Sequence, residues 1–121
     1  MAVLTWKGAT VREFLAGDSE ALVEQWIEAG NIPGEVGPGA LLFADSGCLS
    51  CHIYLGAGSQ NLGAPELTNE GQRGRGVEFQ IQHLMNPQSV TPGSQMPPFP
   101  NFTDQEYQDL AAFLEASGAG G

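Results

Sequence analysis

The sequence predicts an all-α fold of short helices joined by long loops. Apolar residues recur at helical spacings in several segments, whereas no segment alternates apolar and polar residues as a half-buried strand would. The 17 glycines and 8 prolines together make 25 of the 121 residues, and both residue types interrupt regular structure. Because so short a chain buries little apolar area, we expect a disulfide, a metal or a buried cofactor to help stabilise it.

The first 36 residues predict two short helices separated by a glycine. Thr10 and Glu13 have the spacing of a capping box, and Gly17 is expected to interrupt the helix that follows them. Asp18 can cap the second helix, and Gly30 stands where a left-handed residue would end it. One face of this second helix is apolar and consists of Leu22, Val23, Trp26 and Ile27.

Residues 37–121 form the predicted main domain, and residues 1–36 form a helical extension in front of it. Pro38 suits the first turn of a short helix in this domain. Another helix is predicted over residues 77–85, where the Asn86-Pro87 step would end it. Its apolar positions are Val77, Ile81, Leu84 and Met85.

The last helix of the domain has the clearest signals. Thr103 and Glu106 form a capping box, and Phe102 can pack on Tyr107 as a hydrophobic staple. One apolar face of this helix is predicted to consist of Tyr107, Leu110, Ala111 and Leu114, with Phe113 beside it. Loops are predicted for the other long segments, residues 53–76 and 88–101.

The charge of the chain narrows the classes of partner. Four Lys and Arg stand against fourteen Asp and Glu, for a net charge of -10. Such a surface repels phosphate backbones and anionic lipid heads, so nucleic-acid and membrane-surface binding are disfavoured. The sequence contains neither a membrane span nor a signal peptide, and a lost signal or membrane tether in front of the chain remains open.

Both cysteines of the chain lie in one motif, Cys48-Leu49-Ser50-Cys51-His52. This Cys-x-x-Cys-His pattern is the attachment signal for haem c. Two thiols three residues apart lie on one side of a helical turn, from which they can add to the two vinyl groups of one porphyrin edge. The histidine is then carried under the ring, where an imidazole nitrogen can bind the iron.

Three other uses of the cysteines fit the sequence less well. A zinc site needs four ligands, and outside the motif the chain offers only one more histidine, His83, and no cysteine. A thioredoxin-like dithiol needs a βαβ setting, which the helical pattern does not supply. A disulfide across two intervening residues would close too small a loop to stabilise the fold much.

A histidine-bound haem iron keeps one further axial position, and four possibilities remain for it. Met96 lies in a Pro-rich segment, which lowers the entropy cost of holding a weak thioether ligand. Met85 falls on the apolar face of a predicted helix, where core packing is expected. His83 lies off that face and is expected at the surface or near the haem propionates. The fourth possibility is an open position.

With these motifs, residues 37–116 resemble the class I c-type cytochromes, specifically the small bacterial monohaem proteins. The haem motif and the Met96-containing segment from Asn86 to Phe99 carry most of the resemblance. It implies a cytochrome c-like fold around one covalent haem c, with His52 as the proximal and Met96 as the distal iron ligand. Both residues are therefore candidate metal ligands.

The helix before the haem motif also matches the family. Gly39 and Phe43 resemble the family's Gly-x-x-x-Phe pattern, whose contact with the terminal helix would here involve Phe113. The physical interpretation agrees, since a glycine lets two helices approach closely and two aromatic rings can fill their crossing.

Three further residues are candidate haem contacts. The segment Gly63-Ala64-Pro65 resembles a family loop in which the Pro65 carbonyl would accept a hydrogen bond from the other ring nitrogen of His52. Such a bond fixes the tautomer of the ligand and raises its basicity. Arg73 and Arg75 are the only basic residues after Arg12, and we expect at least one of them to face a haem propionate.

The resemblance implies an electron carrier, or a cytochrome domain of a respiratory protein, rather than an enzyme with a small-molecule substrate. The alternative is a haem-based gas sensor or peroxidase-like domain with a labile distal ligand. The acidic surface suggests redox partners, such as an oxidase, reductase or dehydrogenase, with a basic docking face. Since bacteria attach haem c outside the cytoplasmic membrane, we expect the protein in the periplasm or on the extracytoplasmic face of that membrane.

Overall fold

The computed structural model describes residues 11–60, 63–99 and 101–118, and the side chains from residue 18 onward. This part of the chain is helical, with one two-stranded antiparallel hairpin. The helices are α1 (Val11–Glu28), α2 (Gly37–Asp45), α3 (Val77–Met85), α4 (Pro87–Val90) and α5 (Asp104–Ala116). The strands are β1 (Ile53–Tyr54) and β2 (Ala57–Gly58), and three single 3-10 turns span Gly34–Val36, Cys48–Ser50 and Glu70–Arg73. The expected all-α class with long loops is confirmed, and no described helix has the length and hydrophobicity needed to cross a bilayer.

The predicted break at Gly17 is wrong, because α1 runs through this residue as one helix. A glycine inside a helix costs about 1 kcal/mol relative to alanine, which packing elsewhere along the helix can offset. That packing is visible at Val23 and Trp26, which are buried as the apolar pattern predicts. The expected cap at Thr10 lies outside the described residues. Gly30 ends the segment with a φ of 79°, as predicted.

The core is an aromatic cluster in which α1, α2, β1 and α5 meet. Trp26 is 1 % exposed, and its ring centroid lies 4.5 Å from that of Tyr54. The Phe43 and Phe113 ring centroids are 5.1 Å apart, which confirms the predicted contact between α2 and the terminal helix. Trp26 also stacks on Phe113 at 5.9 Å, so the N-terminal extension contributes to the same core as the main domain.

Close approach of α2 to α5 depends on Gly39. A Cβ placed on this residue would overlap the Asp109 carbonyl and lie 3.0 Å from the Phe113 Cβ.

At the start of α5, Thr103 accepts a hydrogen bond from the Glu106 backbone, and the Glu106 carboxylate accepts one from Thr103. The predicted capping box is therefore confirmed.

The segment of residues 53–76, which is predicted to be a loop, is not wholly irregular. It forms the short hairpin and one 3-10 turn, which are too small to leave a periodic signal in the sequence. Tyr54 of the hairpin is fully buried, and its hydroxyl donates to Ser117 Oγ at 2.6 Å and accepts from Asn31 Nδ2 at 2.8 Å. Burial is the main reason that the pKa of Tyr54 lies above its ordinary value.

Helix α3 has the predicted bounds, but its inward face differs from the predicted one. Leu84 is buried as expected, whereas Met85 is 48 % exposed and Val77 is 37 % exposed. The other buried position of this helix is Gln80, which is only 4 % exposed. The expectation that Met85 packs in the core is therefore wrong. The inward face is shifted by about one residue because the polar side chain of Gln80 is hydrogen-bonded inside the fold.

Candidate functional site

One cavity of about 420 Å³ brings the candidate site residues together. Its lining is mostly apolar and includes Phe43, Leu67, Phe79, Leu84, Leu110 and Leu114. Every site residue predicted from the sequence also lines it: Cys48, Cys51, His52, Pro65, Arg73, Arg75 and Met96. An apolar cavity with a few convergent polar groups is the usual form of a cofactor site.

The two thiols are presented by a single 3-10 turn that follows α2. Gly47 precedes the turn with a φ of 86°, a conformation that favours glycine. The backbone N–H groups of Cys51 and His52 both donate to the Cys48 carbonyl, at 3.2 and 3.0 Å, and so keep the turn tight. Burial raises the pKa of the Cys48 thiol to about 11, which keeps this thiol protonated at neutral pH.

The imidazole of His52 is held from the side by the loop after the hairpin. Its Nδ1 lies 2.7 Å from the Pro65 carbonyl oxygen, the partner that the sequence predicts. The loop is tied to β1 because the Leu67 N–H donates to the Ile53 carbonyl at 2.9 Å. An Nδ1–H that donates to this carbonyl leaves the Nε2 lone pair free to bind a metal.

Met96 lies in the segment of residues 91–99, which we call the methionine strap. Its backbone N–H donates to Ser94 Oγ at 3.2 Å, and the side chain packs against the core. The strap is joined to α3 and α5, since the Phe99 N–H donates to the Leu84 carbonyl at 2.8 Å and the Tyr107 hydroxyl donates to the Phe99 carbonyl. The preceding residues form α4, so the predicted irregular segment begins later than residue 88.

His83 lies beside Met96 and not on the outer surface. Its Nε2 is 3.2 Å from the Met96 Sδ, and the half-buried ring lines the cavity. Of the two positions expected from the sequence, the one on the outer surface is therefore wrong, because the shifted face of α3 turns this residue inward, and the one near the haem propionates stays a prediction. Burial is the main reason that its pKa lies below the ordinary value; the nearby His52 and Arg75 lower it further, and Glu70 opposes the shift.

The thiols, the imidazole and the thioether of this site all lie in a segment that matches a known family. The family model described as Cytochrome c matches residues 36–117. The chain belongs to the cytochrome c family. The cofactor of this cytochrome c is covalently attached haem c, as predicted. No curated protein and no solved structure matches the chain.

The residues of this cytochrome c fit a haem. The cavity supplies an apolar lining, and Cys48 and Cys51, which are free thiols, line it together with His52. A haem iron also takes a second axial donor, and the sulfur of Met96 and the Nε2 of His83 both lie in the lining. In the described part of the chain, no three His, Cys, Asp or Glu side chains form a group suited to a bare metal ion.

Arg73 and Arg75 both line the cavity and contact one buried carboxylate. Arg73 Nη1 lies 3.5 Å from Glu70 Oε1, and Arg75 Nε lies 3.4 Å from Glu70 Oε2. The Arg75 guanidinium also lies 4.8 Å from the centroid of the Phe79 ring. The Glu70 side chain is only 6 % exposed, whereas each arginine side chain is 40 % exposed. The exposed guanidinium groups therefore lie at the edge of the cavity, where the buried Glu70 carboxylate holds them.

Glu70 and Gln80 belong to the site although no sequence motif predicts them there. Gln80 Nε2 donates to Glu70 Oε2 at 2.9 Å and to Glu115 Oε2 at 2.8 Å, so this amide bridges α5 and the turn that carries Glu70. The spacing of Glu70 and Arg73 on one turn is the only local signal of the ion pair. The contact of Gln80 with Glu115 spans 35 residues and leaves no such signal.

Proposed function

We propose that this cytochrome c carries single electrons through a haem iron ligated by His52 and Met96. The observation that carries the proposal is the apolar cavity that the thiol pair, the His52 imidazole and the Met96 thioether all line. Bound haem c supplies the redox chemistry, as its iron alternates between the ferrous and ferric states. A thioether ligand and an apolar surrounding both favour the ferrous state and so raise the reduction potential.

The residues around the iron have separate tasks in this proposal. The Pro65 carbonyl accepts a hydrogen bond from His52 Nδ1, which fixes the tautomer and the orientation of the proximal ligand. The bonds of the methionine strap to Leu84 and Tyr107 hold Met96 at the cavity, where its sulfur would ligate the haem iron. Arg73 and Arg75 bind haem propionates at the edge of the cavity, and Glu70 keeps the two guanidinium groups in place.

The proposed place of the protein is the periplasm or the extracytoplasmic face of the cytoplasmic membrane, where bacteria attach haem c. Its partners are redox proteins, and we propose that they carry a basic docking face. We further propose that the protein performs no chemistry on a small-molecule substrate. This assignment is supported by the strap that holds a thioether at the cavity, because a gas sensor or peroxidase needs a distal position that protein side chains leave open to its ligand.

Haem attachment to Cys48 and Cys51 has a direct test. After production with haem-attachment machinery, acid–acetone extraction is expected to leave the colour on the protein, and the mass is expected to exceed that of the polypeptide by one haem. Thioether bonds are covalent and survive denaturation, whereas a haem held only by its iron ligands is extracted.

The matched variants are Ser50→Ala and the double variant Cys48→Ala/Cys51→Ala. Ser50 lies in the same turn and carries no thiol, so its replacement is expected to leave the colour on the protein. The double variant is expected to lose its colour to the solvent or to contain no haem. Colour that leaves the unmodified protein during extraction contradicts covalent attachment.

The partner proposal predicts a strong dependence of electron transfer on salt. The net charge is -10, and the acidic residues are distributed along the chain, with six in residues 1–40 and eight beyond them. Long-range attraction acts mainly on the encounter rate, and its reach falls to roughly 8 Å at physiological ionic strength. The bimolecular rate constant with the physiological partner, measured by stopped flow, is therefore expected to fall steeply as salt is added. A rate that stays flat or rises indicates docking through an apolar patch and contradicts the basic docking face.

A further inference from the structure

Two potential iron ligands of different chemistry lie side by side in the cavity. The Nε2 of His83 is 3.2 Å from the Sδ of Met96, and both residues line the cavity with His52. We propose that His83 is a second distal ligand, which binds the haem iron when the Met96 sulfur leaves it. This inference rests on the proposed function, since it takes Met96 as the resident ligand. It extends that function to a cytochrome whose iron remains six-coordinate after it loses its thioether.

The chemistry of the two donors favours such an exchange. A thioether is a soft and weak ligand that remains on iron only where the protein holds it, whereas imidazole is a common ligand of haem iron. Ferric iron is harder than ferrous iron and so gains more from nitrogen in place of sulfur.

The two ligands are also held by different parts of the fold. Met96 belongs to the methionine strap, which has no helix or strand and whose hydrogen bonds to α3 and α5 are made by the Phe99 backbone. His83 belongs to α3, which is fixed to α5 through the buried Leu84 and the bridge from Gln80 to Glu115. A strap displacement that withdraws the sulfur therefore leaves the imidazole in the cavity.

The exchange balances without a redox partner. The iron–sulfur bond breaks and the sulfur keeps its electron pair, while the Nε2 lone pair of His83 forms the new bond. If the ring proton of His83 is on Nε2, where it would be hydrogen-bonded to the Met96 sulfur, it must move to Nδ1 before Nε2 can bind the iron. Solvent can carry this proton, because the ring is only half-buried. No electron enters or leaves, so the exchange can follow either oxidation state of the iron.

The test compares three haem-loaded variants in the ferric state. Met96→Ala removes the sulfur, Met96→Ala/His83→Ala removes both donors, and Met96→Ala/Met85→Ala is the matched control. Met85 lies on the same helix as His83 but is 48 % exposed, so the control asks whether the thioether on α3 replaces Met96. The readouts are the spin state by electron paramagnetic resonance and the affinity for added imidazole by absorbance titration.

We expect Met96→Ala and the Met85 control to be low-spin without added ligand. Both are expected to bind imidazole about tenfold more weakly than the variant without His83, because an internal ligand that occupies about 90 % of the iron leaves a tenth of the sites open. The variant without His83 is expected to be high-spin. If its fold is lost, Met96→Ala/His83→Gln keeps a polar side chain without a ring nitrogen and has the same expected result.

The proposal for His83 is overturned if the Met96→Ala variant is high-spin and binds imidazole as tightly as Met96→Ala/His83→Ala. The proposed ligation by Met96 is decided separately, on the unmodified protein, by the sulfur-to-iron charge-transfer band of its ferric form. If that band is missing and the single variant His83→Ala becomes high-spin, His83 is the resident ligand. That result overturns resident ligation by Met96 and the exchange that depends on it.

Discussion

The Met96→Ala variant is expected to lose the sulfur-to-iron charge-transfer band of the ferric protein and to have a lower reduction potential. The potential falls because the thioether favours ferrous iron, and its loss removes that preference. We expect a decrease of more than about 59 mV, which is a tenfold change in the redox equilibrium of a one-electron couple. Axial ligands adjust haem potentials over about 0.8 V, so a change of this size lies well within their range. Absorbance spectroscopy and a redox titration of the haem-loaded protein measure both quantities.

Met85→Ala is the matched control, since it removes a thioether that does not line the cavity. Met85 is 48 % exposed, so its truncation is expected to change the free energy of unfolding by no more than about 0.5 kcal/mol. Band and potential should both remain as in the unmodified protein. A band that persists in Met96→Ala and disappears in Met85→Ala would assign the sulfur ligand to Met85.

Gly39→Ala is expected to give the largest loss of stability among single-methyl substitutions in α2. The added Cβ would overlap the Asp109 carbonyl oxygen and lie 2.6 Å from the Asp109 carbonyl carbon, and both atoms belong to the backbone of α5. Backbone cannot rotate away as a side chain can, so the helices must separate and weaken the packing of Phe43 on Phe113. We expect a cost of about 3 kcal/mol. Such a loss lowers the Tm of a chain of this length by roughly 10 °C.

Gly37→Ala provides the comparison within the same helix. A Cβ on Gly37 would meet nothing within 4 Å, and the residue has helical backbone angles, with φ -51° and ψ -44°. Alanine there restricts the unfolded chain, but a Cβ directly before Pro38 is disfavoured in helical backbone, so we expect the free energy of unfolding to change by no more than about 1 kcal/mol. Thermal unfolding of both haem-loaded variants makes the comparison. Equal Tm values for the two variants would show that the α2–α5 crossing tolerates a methyl group at residue 39.

Local sequence was sufficient to predict the features that depend on adjacent residues. The capping box at Thr103 and Glu106, the bounds of α3 and the left-handed Gly30 all follow from short-range hydrogen bonding and backbone conformation. The haem motif is of the same kind, because Cys48, Cys51 and His52 need only one turn to be presented together. Membership of the cytochrome c family therefore follows from the amino-acid sequence by itself.

Only the tertiary structure decided which face of α3 turns inward. A helix of nine residues has few apolar positions, so its pattern is compatible with two faces that differ by about one residue. Gln80 selects one of them because its amide reaches Glu70 and Glu115, which are distant in sequence. This choice exposes Met85 and places His83 beside Met96, and neither outcome is encoded in the local pattern. The continuity of α1 through Gly17 has a similar origin, since contacts of Val23 and Trp26 with the core outweigh the local cost of one glycine.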